Sequence, residues 1–373
     1  MRYYLIAGER SGDVHGGNLV KALQQQDPSS TFQGFGGDEM KRAGVQLSVH
    51  YQNLAVMGFI SLVSSLPRIL KFLKFCKTDI LKFKPDVVIL IDYGGFNLRI
   101  APFVKSNRIP VFYYIPPKVW AWNQSRTQKI KQSVDRVFSI LPFEQEFFKQ
   151  HGCEVDYVGN PVLDAIKAFQ PNPDFLERHR LSADKKIVAL LPGSRAMELK
   201  RIVPLMADLA DRNLSIQFVV AKVSNLTIEL YRALIGKPNV TFVEEETYDL
   251  LSHAHAAIVT SGTATLETGI FRVPQVVVYK TSQPEYLLVK SLVKVKFISL
   301  VNLIAGKEVI RELIQHQANK DDVQAELQRL LTQPDSIKSM QAEYDRIYKL
   351  LDTGSASENT ARLMTNYLRQ WKG

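Results

Sequence analysis

Short apolar runs rich in β-branched and aromatic residues recur along the chain. Each ends at a turn of small or polar residues. The runs are Tyr3 to Ala7, Asp86 to Ile91, Val111 to Ile115, Arg136 to Ile140, one ending at Val158, Ile187 to Leu191, Ile216 to Val220, Val240 to Val243, Ala256 to Val259 and Val276 to Tyr279. Runs apolar on both faces predict strands of parallel sheets covered by helices. Segments of helical spacing lie between many of them, such as the one carrying Leu19, Val20 and Leu23, so the class is α/β and doubly wound. The Pro-rich stretch 169–175, FQPNPDF, interrupts the series. After it, Ile187 to Leu191 with the turn Pro192-Gly193-Ser194-Arg195 repeats the layout of residues 3–13. The pattern predicts two Rossmann-like domains in tandem, 1–168 and 169–352.

Residues 53–84 carry a different pattern. With Pro67 as an early helical position, Ile69, Leu73, Cys76, Ile80 and Phe83 recur at spacings of four and three and form one core-facing stripe. Arg68, Lys71, Lys74 and Lys82 fall opposite, with Phe75 among them and Phe72 at the edge of the stripe. Phe59, Ile60, Leu62 and Val63 extend the apolar surface just before. Aromatics interleaved with lysines suit contact with anionic lipid. An ordinary amphipathic helix with a solvated basic face fits the same spacing.

Composition narrows the class. At 373 residues, 46% apolar and 23% charged, the chain has the make-up of a soluble globular protein of two domains. No apolar run approaches the roughly 20 residues that span a bilayer, and Met1 to Ala7 is too short for a signal peptide, so a cytoplasmic location is expected. Cys76 and Cys153 provide neither a disulfide framework nor metal-ligand spacing. The excess of 47 basic over 37 acidic residues, +10, favours anionic partners without choosing among phosphates, acidic lipid and nucleic acid.

Candidate chemistry gathers at the strand exits. In AAIVTSGTATLETGIF a strand stops at Ser261-Gly262-Thr263 and a helix begins, so unpartnered first-turn amides and nearby hydroxyls could receive a diphosphate. Glu267, one turn further on the same face, could accept hydrogen bonds from a ribose. Gly193 and Ser194 allow a similar close approach, and Arg195 offers a guanidinium fork. At the first exit, Glu9, Ser11 and Asp13 precede or begin a helix; Glu9 and Asp13 could act as base or hydroxyl ligands, or Asp13 could cap its helix. His15 has an ordinary structural reading. Asp92 follows directly on Ile91, at the carboxyl edge of the sheet, placed to take a proton from a hydroxyl or to stabilise a turn. In the loop Pro116 to Trp122 the tryptophans could stack on a sugar or acyl chain, or anchor the loop. Asn302 is a polar residue in an apolar stretch, 299–306.

Together these motifs resemble one family. Gly8-Glu9-x-Ser11-Gly12-Asp13, Leu54-Ala55-Val56-Met57-Gly58, Lys84-Pro85-Asp86-Val87 with Ile91-Asp92, Val119-Trp120-Ala121-Trp122, Leu141-Pro142-Phe143-Glu144, Leu191 to Arg195, Ser261 to Ala264 with Glu267, and Asn302 to Gly306 look like those of lipid-A-disaccharide synthase. They run in order to about residue 315, beyond which only a helical tail matches. The resemblance implies an inverting, metal-independent glycosyltransferase of the two-Rossmann (GT-B) type, with no cofactor, its active site in the cleft between the domains, and the helix at about 353–373 returning to the first domain. It implies transfer of 2,3-diacylglucosamine from its UDP conjugate to the 6-hydroxyl of 2,3-diacylglucosamine 1-phosphate, giving a β-1,6 disaccharide and UDP. Asp92 would be the general base, with Glu9 and Asn302 nearby. Gly193, Ser194, Arg195, Ser261, Gly262, Thr263 and Glu267 would hold UDP. Ser11, Asp13, Met57, Phe72, Phe75, Lys71 and Lys74 would serve the acceptor and its lipid. The implied partners are the two lipid substrates and the anionic inner-membrane surface, with peripheral attachment and no nucleic acid; a homodimer is compatible. The family's turn is usually I-D-x-P-D-F-N, whereas here it is Ile91-Asp92-Tyr93-Gly94-Gly95-Phe96-Asn97, so the second aspartate is missing. The alternatives are another UDP-N-acetylglucosamine enzyme on the same fold, a 2-epimerase or the transferase of peptidoglycan lipid intermediates, and a non-catalytic basic protein.

Overall fold

The computed structural model describes residues 1–55, 62–122, 124–224, 226–292 and 295–372. The chain divides into two compact units, Met1–Pro161 with Asp352–Gly373, and Val162–Leu351. The division falls before the Pro-rich stretch because Phe169 already packs on Tyr248 and Phe271 of the second unit, with ring centroids 5.5 and 5.9 Å away.

The N-terminal unit is built on seven parallel strands, β1 (Arg2–Ala7), β2 (Thr31–Gly36), β3 (Gln46–His50), β4 (Val87–Ile91), β5 (Val111–Tyr114), β6 (Arg136–Ser139) and β7 (Val155–Tyr157), in the order β3-β2-β1-β4-β5-β6-β7. Every residue of β4 is buried, as two-sided burial of a central parallel strand requires. One core layer lies under the helix Leu62–Phe83, which turns Leu73, Cys76 and Ile80 inward while Ile69 and Phe83 pack at its edge. Pro67 lies inside this helix, five residues after Leu62, where its description begins. The other layer is closed by the helices Arg10–Gln26 and Ala356–Lys372, the latter contributing Ala361, Met364 and Leu368 to the core.

The C-terminal unit carries six parallel strands, β8 (Ile187–Leu191), β9 (Gln217–Lys222), β10 (Val240–Glu244), β11 (Ala256–Thr260), β12 (Gln275–Tyr279) and β13 (Glu312–Ile314), ordered β10-β9-β8-β11-β12-β13. In both sheets the strand order reverses beside the first strand, between β1 and β4 and between β8 and β11. At such a switch point the helices leave on opposite faces, and a crevice opens beyond the carboxyl ends of the strands. β2 (TFQGFG) and β3 (QLSVH) have no continuous apolar run. They are strands because the sheet pairs them. No described helix is long and apolar enough to cross a membrane.

Candidate functional site

In the N-terminal unit the exits of β1 and β4 are neighbours, since Ala7 pairs with Ile91. Glu9 stands exposed at the first and Asp92 half-buried at the second. Asp92 and Tyr93 adopt φ of 45° and 46°, two successive left-handed residues that are not glycine. The Tyr93 ring lies against Gly8, where a Cβ would meet it at 2.2 Å, so only glycine fits there. Burial, chiefly, pushes the Asp92 carboxyl above its ordinary range; the charge of Glu9 adds to this, while Lys118 and the Tyr93 amide oppose it. A carboxylate of raised basicity next to solvent is suited to taking a proton from a hydroxyl. Gly95 is exposed, and a Cβ there would touch nothing within 4 Å. Packing therefore does not account for the missing second aspartate.

One expectation for this unit is corrected. Asp13 is 3% exposed, and its carboxylate accepts the backbone N–H groups of Gly37 (2.6 Å), Met40 (3.0 Å) and Glu39 (3.1 Å). It fastens the start of the helix Asp38–Arg42, and is neither a substrate ligand nor the cap of its own helix. Phe72 is half-buried at the edge of the core, while Phe75 is 46% exposed. Leu70 and Leu81 join Phe75 on the outer face at 56% and 47% exposure, and Lys71 and Lys74 are exposed with them. Ser11 stays exposed in the first turn of its helix, and Met57, Phe59 and Ile60 lie outside the described residues. Trp120 anchors its loop: it is 6% exposed, and its indole N–H donates to Glu144 Oε1 at 2.9 Å. Burial drives the Glu144 carboxyl up to about 7 despite that bond.

In the C-terminal unit the exits of β8 and β11 are also neighbours, with Leu191 paired to Val259. At the β11 exit Gly262 and Thr263 are exposed at the start of the helix Thr263–Ile270, and a Cβ on Gly262 would meet nothing within 4 Å. No side chain among the described residues caps this helix. Its first amides therefore present an open anion cradle. The Ser261 hydroxyl donates to the Ile298 carbonyl at 2.8 Å, leaving its oxygen as an acceptor. Glu267 is half-buried and accepts the Tyr248 hydroxyl on Oε1 at 3.0 Å, and burial raises its pKa while that bond lowers it.

The β8 exit differs from what its sequence suggests. Gly193 has φ +104°, and a Cβ there would lie 2.3 Å from Glu198 Oε2. That same oxygen accepts the amides of Ser194 (3.2 Å) and Arg195 (3.3 Å). The backbone cradle expected from Gly193 and Ser194 is thus filled by the chain's own carboxylate. The Arg195 side chain, 81% exposed, remains free to reach an anion beyond its 3.3 Å contact with Glu198. Asn302 is also corrected. It is fully buried, donating to Ile310 O (2.8 Å) and Glu312 Oε1 (2.9 Å) and accepting from Val309 N (2.8 Å) and Ile310 N (3.0 Å). All four hydrogen-bonding positions of its amide serve the approach to β13, so it has none left for reacting atoms. Tyr248, Lys118, Asn97 and Tyr113 stand in no motif that marks them as functional. Asn97 alone has a signal in the sequence, as the last residue of the Asp92 turn motif.

The family model for lipid-A-disaccharide synthetase matches residues 3–365. A lipid-A-disaccharide synthase of Syntrophus aciditrophicus is 40% identical over 98% of this chain and 97% of its own. One from Myxococcus xanthus is 39% identical over 88% of each. Among solved structures, the UDP-GlcNAc 2-epimerase of Neisseria meningitidis bound to UDP-GlcNAc superposes with a TM-score of 0.67 over 99% of this chain and all of that one, at 14% identity. That likeness speaks for the fold alone.

Proposed function

Since the chain belongs to the lipid-A-disaccharide synthase family, a family of GT-B glycosyltransferases, we propose that its reaction runs with Asp92 as general base. The acceptor's 6-hydroxyl attacks the anomeric carbon of UDP-2,3-diacylglucosamine, and Asp92 takes the hydroxyl proton. The bond from that carbon to the diphosphate breaks with inversion, and UDP leaves with its electron pair. The observation that carries this reading is the half-buried Asp92 at the switch point of its sheet, its basicity raised by burial and by Glu9. Negative charge growing on the diphosphate is met by the open amides at Gly262 and Thr263 and by Arg195, so no metal is required. Glu267 accepts the ribose hydroxyls.

The test is UDP release from UDP-2,3-diacylglucosamine, with and without 2,3-diacylglucosamine 1-phosphate, in chelator. Acceptor-dependent release that falls by about 100-fold or more in Asp92→Asn supports the reading. Release without acceptor favours an epimerase-like enzyme, and full activity in the variant removes Asp92 as base.

The outer face of the helix Leu62–Phe83, with Leu70, Phe75 and Leu81 among lysines, supports peripheral attachment to an anionic membrane. Leu70→Glu with Phe75→Glu should weaken sedimentation with phosphatidylglycerol vesicles while leaving the denaturation midpoint in place. Unchanged sedimentation would exclude this face. Phe72 is unsuited to the experiment, because it packs against the core.

A further inference from the structure

The turn that carries Asp92 is held in a conformation its own residues disfavour. A left-handed backbone crowds the Cβ of an L-residue against the following carbonyl; aspartate tolerates it better than tyrosine, yet Asp92 and Tyr93 adopt it in succession. Left to itself, the exit of β4 would relax toward extended or right-handed backbone, and the Asp92 side chain would turn with it.

Two side chains from different elements oppose that relaxation, and both act on one atom. The Tyr113 hydroxyl, from β5, donates to the Asp92 carbonyl at 2.7 Å. The Asn97 amide, from the helix Gly94–Ser106, donates to the same carbonyl at 2.8 Å and to Ile91 O and Ile6 O at 3.3 Å each. Both donors are 0% exposed. Two buried hydrogen bonds to one carbonyl oppose the strain of two residues. The arrangement is costly elsewhere, since Asn97 Oδ1 is buried without a partner. A turn needed only to connect β4 to its helix could use glycine at Tyr93 and dispense with the clamp.

We infer that Tyr113 and Asn97 are positioning residues that fix the Asp92 backbone, and through it the direction of the Asp92 carboxyl. The inference rests on Asp92 being the base. Neither residue touches the reacting atoms. Burial holds the Tyr113 phenol far above its ordinary pKa, so it stays a neutral donor throughout the working range. The groups that act on the Asp92 carboxyl are Glu9 from the β1 exit, Lys118 from the loop after β5, and the Tyr93 amide.

Asn97→Ala would strip three carbonyls of a donor and could unfold the unit, so the deciding variant is Tyr113→Phe, which removes one oxygen atom and keeps the ring. The expected result is kcat lower by about tenfold, KM for both substrates within about twofold, and a denaturation midpoint within about 3 °C of the wild type. A merely structural role would leave the pH profile alone. Here a loosened turn admits water to the Asp92 carboxyl, so its pKa falls and the acid limb of kcat moves to lower pH. Wild-type kcat in Tyr113→Phe overturns the proposal. So does a loss of rate with a lowered midpoint and an unmoved acid limb. Asp92→Asn, assayed beside it, separates the two failures. Full activity there removes the base and the clamp's purpose together, whereas an inactive Asp92→Asn with an unaffected Tyr113→Phe removes the clamp alone.

Discussion

The exits of β8 and β11 are adjacent in one sheet and carry similar small-residue sequences, Pro192-Gly193-Ser194-Arg195 and Ser261-Gly262-Thr263. They are built oppositely. At β8 a glutamate one turn into the following helix folds back, takes the free amides and fills the space over Gly193. At β11 the third helical residue is Thr265, whose hydroxyl donates to the Gly262 carbonyl, and Glu267, the fifth residue after the glycine, accepts the Tyr248 hydroxyl instead of folding back, so the space above Gly262 is left open. A glycine turn before a helix is therefore an anion site only when the helix does not supply its own anion. The third residue of the helix, Glu198 at β8 and Thr265 at β11, decides which.

The largest expected effect comes from reversing that difference. Gly262→Asp puts a carboxylate where nothing now stands, and should weaken UDP binding by about 100-fold, the loss of one or two charge-assisted bonds of about 1.5–3 kcal/mol each. Calorimetric titration with UDP would show it, and the denaturation midpoint should hold. Gly193→Ala should do the opposite: it loses about 1–3 kcal/mol of stability to left-handed strain and to the crowding of Glu198, with UDP affinity nearly kept. If Gly193→Ala is the variant that loses UDP, the assignment of the two exits is reversed.

Arg195→Ala should lower UDP affinity by about tenfold with no change in stability, because the side chain is exposed and only its charge-assisted contact with phosphate is lost. Tyr248→Phe should weaken UDP binding by about threefold near neutral pH. The sign of its pH dependence is fixed. The Tyr248 bond lowers the Glu267 pKa that burial raises, so its removal lets that pKa climb further. If the ionised carboxylate holds ribose, affinity in the variant declines at a higher pH than in the wild type as the solution is acidified. A binding profile that does not move would detach Glu267 from the ribose. Smallest is Glu198→Gln, expected to cost about 0.5–1 kcal/mol of stability with UDP affinity within about twofold. A clear gain in affinity there would show that Glu198 competes with a phosphate, and would bring the two exits together again.

The strands buried on both faces, the stripe Leu73, Cys76 and Ile80, and Asp92 directly after β4 were all legible in sequence, because period and position along a strand are local properties. β2 and β3 were not legible, since their glycines and polar residues give no apolar run and only pairing with β1 makes them strands. Asp13 and Asn302 were misplaced for a related reason. Each is a polar residue beside a strand exit, which is what a ligand looks like in sequence. Each is consumed by backbone groups from chain segments that sequence does not show to be near.

The alternation of strands and helices, the tandem of two doubly wound units, the family and the residue types at every strand exit all follow from the order of residues, since burial pattern and motif order are written along the chain. Which of those polar groups stay open to a ligand is set in the folded molecule. The hydrogen bonds that fill the amides at β8, saturate Asn302, and clamp the Asp92 carbonyl from Tyr113 and Asn97 depend on atoms meeting within about 3 Å. That is a property of folded geometry, which no spacing along the chain encodes.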